Sequence, residues 1–242
     1  MVRKLKNRFR RWRLAKAGVV VERTVERLEC GRGDGAWTIC PTRLHSESVV
    51  YSVGIGRECS FDLDMIKRFG VKVHGFDPTP ASVEWVKSLD LPDEFHFQAI
   101  GLADFDGTLD FHVPRKKSSA HYTPVARYKM KETEKIQAPV RKLGTLMRDL
   151  GHEHIDVLKM DIEGGEYAVI DDMLRSKLPV HQLLLEFHHN YKTIPLRKTL
   201  DAVRALRASG FQLFALSART YEMSFIRDPD LSKAAETPPD RA

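Results

Sequence analysis

"IDVLKMDIEGGEYAVIDDML", residues 155–174, carries a change of pattern that decides how the chain folds. Ile155 to Met160 is a short, mostly apolar run of the kind that forms a buried strand. Gly164 and Gly165 then let the backbone turn sharply, and "GEYAVIDDMLR" resumes as a helix. A strand that runs through a tight turn into a helix is half of a parallel βαβ unit. Asp161 emerges at the carboxyl edge of that strand, which makes it the strongest candidate for chemistry, with Glu163 next. Glu166 stands at the helix start, where negative charge complements the dipole without needing any chemical purpose. Asp171 and Asp172, farther along the helix, read as solvated acids.

The same alternation extends in both directions. "VVYSVGIG" (49–56), "VKVHGFD" (71–77), "EFHFQAI" (94–100) and "HQLLLEFHH" (181–189) read as strands. "ECSFDLDMIKRFG", stopped by Gly70, and "PTPASVEWVKSL", with Thr79 as N-cap and Pro80 at the first helical position, read as helices. "RKTLDAVRALRASG" is a further helix, with Leu200, Val203 and Leu206 along one side. "GLADFDGTLDFHVP" is a turn with an outlying strand, and "APVRKLGTLMRDLG" a strand edge and a helix. After the last helix, "FQLFALS" and "YEMSFIRD" follow one another with no crossover and pair as a closing hairpin. The chain is therefore α/β: a doubly wound, mostly parallel sheet covered on both faces, with an antiparallel ending.

Composition limits the alternatives. Of 242 residues, 42% are apolar and 30% charged, which suits a soluble domain. No run reaches the roughly 18 apolar residues of a spanning helix, and no secretory pattern follows the basic start, so a cytoplasmic location is the default. Cys30, Cys40 and Cys59 have neither disulfide nor zinc spacing. The formal charge of +6 is local: "MVRKLKNRFRRWRLAK" (1–16) holds eight Lys or Arg and no acid, which leaves the rest slightly negative. Residues 1–30 read as a basic amphipathic helix ahead of a domain at 31–230, and 231–242 has the composition of a frayed, disordered tail. In the helix Leu5, Phe9, Trp12 and Lys16 share a face. That pattern suits an interfacial helix on anionic lipid, and so a peripheral position at a membrane; with less weight it suits nucleic-acid phosphate. A helix docked on the domain through Phe9 and Trp12 explains it too.

In an open parallel sheet, ligands bind beyond the carboxyl ends of the strands. Gly54 and Gly56 lie between the first core strand and its helix, where backbone can pass close beneath a ligand. Asp77 ends the next strand, placed to accept both hydroxyls of a ribose. Together they point to a nucleoside-containing ligand.

The stretch from "VVYSVGIGRECSFD" through "VHGFDPTP", "FQAIGLAD", "IDVLKMDIEGGEYAVI" and "LLLEFHH" resembles the FkbM-type methyltransferases, a branch of the class I S-adenosylmethionine-dependent enzymes, over roughly residues 45–227. "LKMDIEGGE" followed by "EFH" is the more specific part. The resemblance implies a seven-stranded sheet whose last strand is inserted antiparallel. It also implies that Ser52 to Gly56 lie under the methionine half of S-adenosylmethionine, that Asp77 holds the ribose, that Ala99, Ile100 and Gly101 wall the adenine, and that Asp161 faces the methyl donor. The chain departs from the class I pattern at Ser52, where an acid is common, and at Glu58, where a third glycine is usual. Glu58 or Asp62 is expected to supply the acidic character toward the methionine amine.

Methyl transfer from a sulfonium is an in-line displacement, so the protein has to hold an acceptor against the methyl and handle its proton. Asp161 and Glu163 are expected on the acceptor side, faced by Glu186 and His188 from the next strand. His188 is the expected general base, because its ordinary pKa is near neutrality. A divalent cation held by the carboxylates is a less favoured alternative. By resemblance the reaction is O-methylation of a sugar, glycolipid or small-metabolite hydroxyl. The basic segment 114–135, with Lys116, Lys117, Ser118, His121, Tyr122 and Arg127, suits a lid over a phosphorylated, sugar-nucleotide or lipid-linked acceptor, and equally a solvated loop. Two other classes share the glycine and ribose-acid logic: an NAD-dependent oxidoreductase, which would want GxGxxG where Cys59 stands in the last position, and a non-catalytic binding protein that has lost its donor.

Overall fold

A computed structural model of the chain describes residues 2–114, 121–125 and 134–227. Lys116, Lys117, Ser118, Arg127 and the tail at 231–242 lie outside the described residues. In chain order the elements are α1 (Val2–Lys16), β1 (Leu28–Cys30), β2 (Trp37–Ile39), β3 (Val50–Val53), α2 (Ser60–Phe69), β4 (Val73–Phe76), α3 (Pro80–Lys87), β5 (Phe95–Gln98), β6 (Gly101–Leu102), β7 (Gly107–His112), β8 (Lys135–Arg141), α4 (Leu143–Leu150), β9 (Ile155–Met160), α5 (Glu166–Arg175), β10 (Val180–Glu186), α6 (Leu196–Ala208), β11 (Phe211–Leu216) and β12 (Glu222–Arg227).

The main sheet has seven strands in the order β11-β12-β10-β9-β3-β4-β5. Strands β10, β9, β3, β4 and β5 run parallel. β12 is antiparallel to both of its neighbours and inserts between β10 and β11. This is the Rossmann-like methyltransferase arrangement, with the hairpin where the sequence puts it. The order reverses at β3, which lies between β4 and β9, so the crevice expected of such a sheet opens at the carboxyl ends of these three strands.

Strand pleat explains how both faces are covered. In β9, Leu158 and Met160 pack with Leu143, Val169, Ile170, Met173, Val203 and Leu206 from α4, α5 and α6. Val157 points the other way, into Phe61 and Met65 of α2 and Trp37 and Ile39 of β2. A central strand buried on both faces must read as a nearly continuous apolar run, which "IDVLKM" does apart from Asp156 and Lys159.

Three expectations are corrected. The basic helix does not continue to residue 29: it ends at Lys16, Gly18 takes a φ of +82°, and the β-branched Val19–Val21 run leaves the helix for extended chain that leads into β1. The strand edge expected to open at Ala138 begins earlier. β8 starts at Lys135 and pairs with β7 and β6 in a separate three-stranded sheet. Asp172 is buried rather than solvated, its carboxylate 2.8 Å from Lys142 Nζ and 3.6 Å from Arg175; Asp171 is exposed.

Candidate active site

A cavity of about 700 Å³ opens at the carboxyl ends of β3, β4 and β9, within the size range of small-molecule sites. Its floor is the glycine loop. Gly54 has a φ of +82°, and a Cβ there would lie 1.8 Å from the carbonyl oxygen of Asp161. Two strand ends thus meet where only glycine fits. Asp161 N–H donates to Val53 O (3.0 Å) and Gly54 N–H to Phe76 O (2.9 Å), which ties β3, β4 and β9 together at this point.

Asp77 is buried at the end of β4. Its Oδ2 accepts from Gly56 N–H (2.8 Å), and its Oδ1 accepts from Thr79 N–H (2.9 Å) and Thr79 Oγ1 (2.7 Å). Thr79 stands at the N-cap of α3 as expected but makes no capping bond, because its hydroxyl serves Asp77 instead. The carboxylate therefore fixes the glycine loop against the next turn, and Asp77 lines the cavity with acceptor capacity left on Oδ2.

On the α2 side, Asp62 is 1% exposed and neither carboxylate oxygen has a hydrogen-bond partner. Burial pushes its carboxyl up to about 6 against the pull of Lys159. Ser52 Oγ, also buried, faces the same carboxylate and helps to lower its pKa, though the pair does not close into a well-formed hydrogen bond. Lys159, nearly buried, donates from Nζ to Gly54 O at 2.8 Å. Of the two acids proposed from sequence, Asp62 is the one left orphaned at the cavity, whereas Glu58 accepts from Ser60 N–H (2.9 Å) at the start of α2 and lies against Gly35. At the β5 end, Gly101 lines the cavity in close contact with Pro78 and Val140, but Ala99 and Ile100 do not; Leu102, Ala103, Asp104 and Phe105 form that wall.

The opposite wall gathers the acids. Glu166, fully buried, accepts from Ile162 N–H (3.0 Å) and Gly164 N–H (3.1 Å) and from His188 Nδ1 (2.8 Å). It is the clasp that closes the strand–helix turn and orients the histidine, rather than only a complement to the dipole. His188 Nε2 lies 3.6 Å from Asp161 Oδ1 and 3.5 Å from Glu163 Oε2. Burial favours the neutral ring, but Glu166, Asp161 and Glu163 outweigh it and raise its pKa to about 10. The surrounding carboxylates thus favour the protonated ring, which weighs against a role as general base and toward one as a charged partner of the acids. Glu186 is pushed up to about 8 by burial and by the Asp161 charge, with Arg219 3.6 Å away. Burial likewise raises Asp161 to about 6, against His188.

A match to a family model described as the methyltransferase FkbM domain covers residues 49–213, the span that holds most of the residues lining this cavity; Asp34, Gly35, Trp37 and Arg219 lie outside it. The chain belongs to the FkbM methyltransferase family. Probable methyltransferase-like protein 24 of Homo sapiens and that of Rattus norvegicus are each 28% identical over 142 residues, which is 57% of this chain and 32% of theirs. The chain spans about a third of the length of these curated relatives. Among solved structures, methyltransferase FkbM from Methylobacillus flagellatus KT aligns with a TM-score of 0.47 at 14% identity, covering 76% of this chain and 44% of that one. The Methanococcus jannaschii fibrillarin pre-rRNA processing protein aligns at 0.45 with 9% identity, covering 86% of each.

This FkbM domain also uses residues that the sequence reading passed over. Glu163 has a φ of +55°, an unfavourable conformation for a residue with a side chain, and is held there by Thr123 Oγ1 on its carbonyl (2.6 Å), His121 Nδ1 on Oε1 (2.5 Å) and the Tyr191 hydroxyl on Oε2. His121, Tyr122, Pro124 and Val125 line the cavity, so the described part of the 114–135 segment does border the site. Lys159 had a signal, a lone cation inside an apolar strand; Tyr191 and Arg219 had none. Among the described residues Asp161, Glu186 and His188 each offer one ligand atom within 4.8 Å of the others. A divalent cation there would compete with the proton on His188 Nε2. No described helix is long and apolar enough to cross a membrane.

Proposed function

We propose that the protein transfers a methyl group from S-adenosylmethionine to a hydroxyl of a sugar, glycolipid or small metabolite. The observation that carries this reading is Asp62: a buried carboxylate beside a glycine-floored cavity, in no ion pair among the described residues and compensated only by the field of Lys159 and the Ser52 hydroxyl, suits a further cation, and the α-ammonium of the methionine half is one. When bound, S-adenosylmethionine supplies an electrophilic methyl on a sulfonium. Gly54 and Gly56 cradle the methionine half, with Ser52 fully buried behind them and not lining the cavity; Asp77 faces the ribose, and Gly101 to Ala103 border the adenine. Lys159 is close enough to Gly54 to bear on the methionine carboxylate.

Across the cavity the acids divide the work. Asp161, raised into the range where a carboxylate is both basic and available near neutral pH, takes the acceptor's proton. Glu186, protonated at neutral pH, donates a hydrogen bond to the acceptor, and His188, clasped by Glu166, holds Asp161 and Glu163 in place. Hydroxyl-rich acceptors suit this wall, because it offers several carboxyl oxygens at close quarters.

The test is Asp161→Asn, with donor binding and methyl transfer measured separately on a panel of sugars and hydroxylated metabolites. Methyl transfer is expected to fall about 10²- to 10⁴-fold while affinity for the demethylated donor stays within a few-fold. In the unaltered protein the rate should rise with pH through about 6, as Asp161 loses its proton. Unchanged turnover in the variant would remove Asp161 from the reaction.

A further inference from the structure

The orientation of α1 reverses one of the sequence expectations. The helix is attached to the domain through Leu14, which is 2% exposed. Arg11 Nη2 donates to Leu216 O (3.0 Å) and Ser217 O (3.2 Å), and the Arg10 guanidinium sits 4.8 Å from the centre of the Tyr221 ring. Leu5, Phe9 and Trp12 are turned away at 68%, 58% and 56% exposure, so they do not dock the helix. They recur at i, i+4 and i+7 and form one apolar ridge, flanked by the exposed Lys6, Arg8, Arg13 and Lys16 with no acid on the helix. A helix that is held by its far side and leaves three large apolar groups in water has an unmet need for burial.

We infer that α1 is a membrane-surface anchor: Leu5, Phe9 and Trp12 insert among the acyl chains of an anionic bilayer while the flanking cations meet the headgroups. Charge decides against a second copy of this chain, since face-to-face helices would bring two wholly cationic segments together. Nucleic acid fits less well, because the Phe9 and Trp12 rings stack on each other with centroids 5.8 Å apart, occupying faces that bases would use, and Leu5 has no stacking face. The position is also suggestive of purpose. Tyr221, under Arg10, accepts from Phe187 N–H at 2.9 Å and is two residues from Arg219, which lines the cavity and faces Glu186. The anchor thus stands beside the acceptor wall, so that an acceptor carried on lipid would be presented to it. That last step rests on the proposed reaction; the anchor itself does not.

The experiment is co-sedimentation of the full chain with phosphatidylcholine vesicles, with and without phosphatidylserine, and no donor present. Binding to the mixed vesicles is expected, with far less to phosphatidylcholine alone, and it should weaken as salt is raised. The triple substitution Leu5→Ser, Phe9→Ser, Trp12→Ser should weaken binding about 100-fold, from the lost apolar insertion. Lys6→Gln with Arg13→Gln should weaken it about thirty-fold, from the two lost charges. All five substituted positions are solvent-facing, so the melting temperature should be unchanged, which separates lost docking from misfolding. Undiminished vesicle binding by the triple variant would overturn the inference. So would no binding to either vesicle, a dimer dependent on the three apolar residues, or an RNA oligonucleotide that displaces the protein from vesicles and still binds the triple variant. Because no step of the assay involves methyl transfer, failure of the anchor and failure of the proposed reaction are read separately.

Discussion

Asp62→Asn is expected to weaken binding of the demethylated donor, S-adenosylhomocysteine, about 100-fold, while making the free protein more stable. Both effects come from one feature, a carboxylate that is 1% exposed, is in no ion pair among the described residues and makes no well-formed hydrogen bond, with only the Ser52 hydroxyl and the field of Lys159 to compensate it. In the proposed complex it pairs with an ammonium in a dry site, and removing one member of such a pair costs roughly 2–5 kcal/mol. In the free protein its charge is a burden. Its carboxyl is raised from 3.8 to about 6 by burial. The folded state therefore binds more protons than the unfolded chain between those two values, and stability falls as pH rises through that window. Asparagine removes the titrating charge, so the variant should gain about 1–2 kcal/mol at neutral pH and little at pH 4, read as a rise in Tm only at the higher pH. The same argument gives the pH dependence of binding in the unaltered protein. Below about 6 Asp62 is protonated when free, and affinity should fall with each further drop in pH. A variant that binds as tightly as the parent would transfer the ammonium to another group.

Gly54→Ala is expected to cost about 3–5 kcal/mol of folding stability and to abolish donor binding. Two penalties add. The residue has a φ of +82°, which costs a residue with a Cβ about 1–2 kcal/mol. The Cβ would also stand 1.8 Å from the Asp161 carbonyl oxygen, and this is backbone that cannot rotate away. To relieve the contact, β3 and β9 must separate at their carboxyl ends, which is where the cavity floor lies. Gly33→Ala is the matched control: its φ is +57°, but nothing lies within 4 Å of the added carbon, so only the conformational penalty of about 1 kcal/mol remains. Chemical denaturation of the two variants beside the parent checks the difference. Equal losses would mean that the β3–β9 approach is softer than it looks.

The fold was legible because its signals are local and repeated. Apolar runs of strand length alternate with helices closed by residues such as Gly70, and the closing hairpin shows in two strands with no crossover between them. The basic helix was overextended because its charge pattern was followed past Gly18, where the backbone, not the composition, sets the end. Within the site, Asp161 could be placed from register alone: it is the first residue past a buried strand. Glu166 could not, since an acid at a helix start already has an explanation in the dipole. Its bond to His188, 22 residues on, exists only once β9 and β10 are neighbours. The surroundings of His188 are hidden from sequence for the same reason, because Asp161, Glu163 and Glu166, from the end of β9 through the start of α5, surround it only in the folded chain. The choice between Glu58 and Asp62 depended on which way the first turn of α2 faces, which four residues of spacing do not determine.

The central claim is that this cavity binds S-adenosylmethionine. Titration calorimetry of the intact chain with S-adenosylhomocysteine, and separately with NAD, tests it most directly. Saturable one-to-one binding of S-adenosylhomocysteine and no heat with NAD are expected; saturation by NAD instead, or by neither, would rule out a donor site in this cavity.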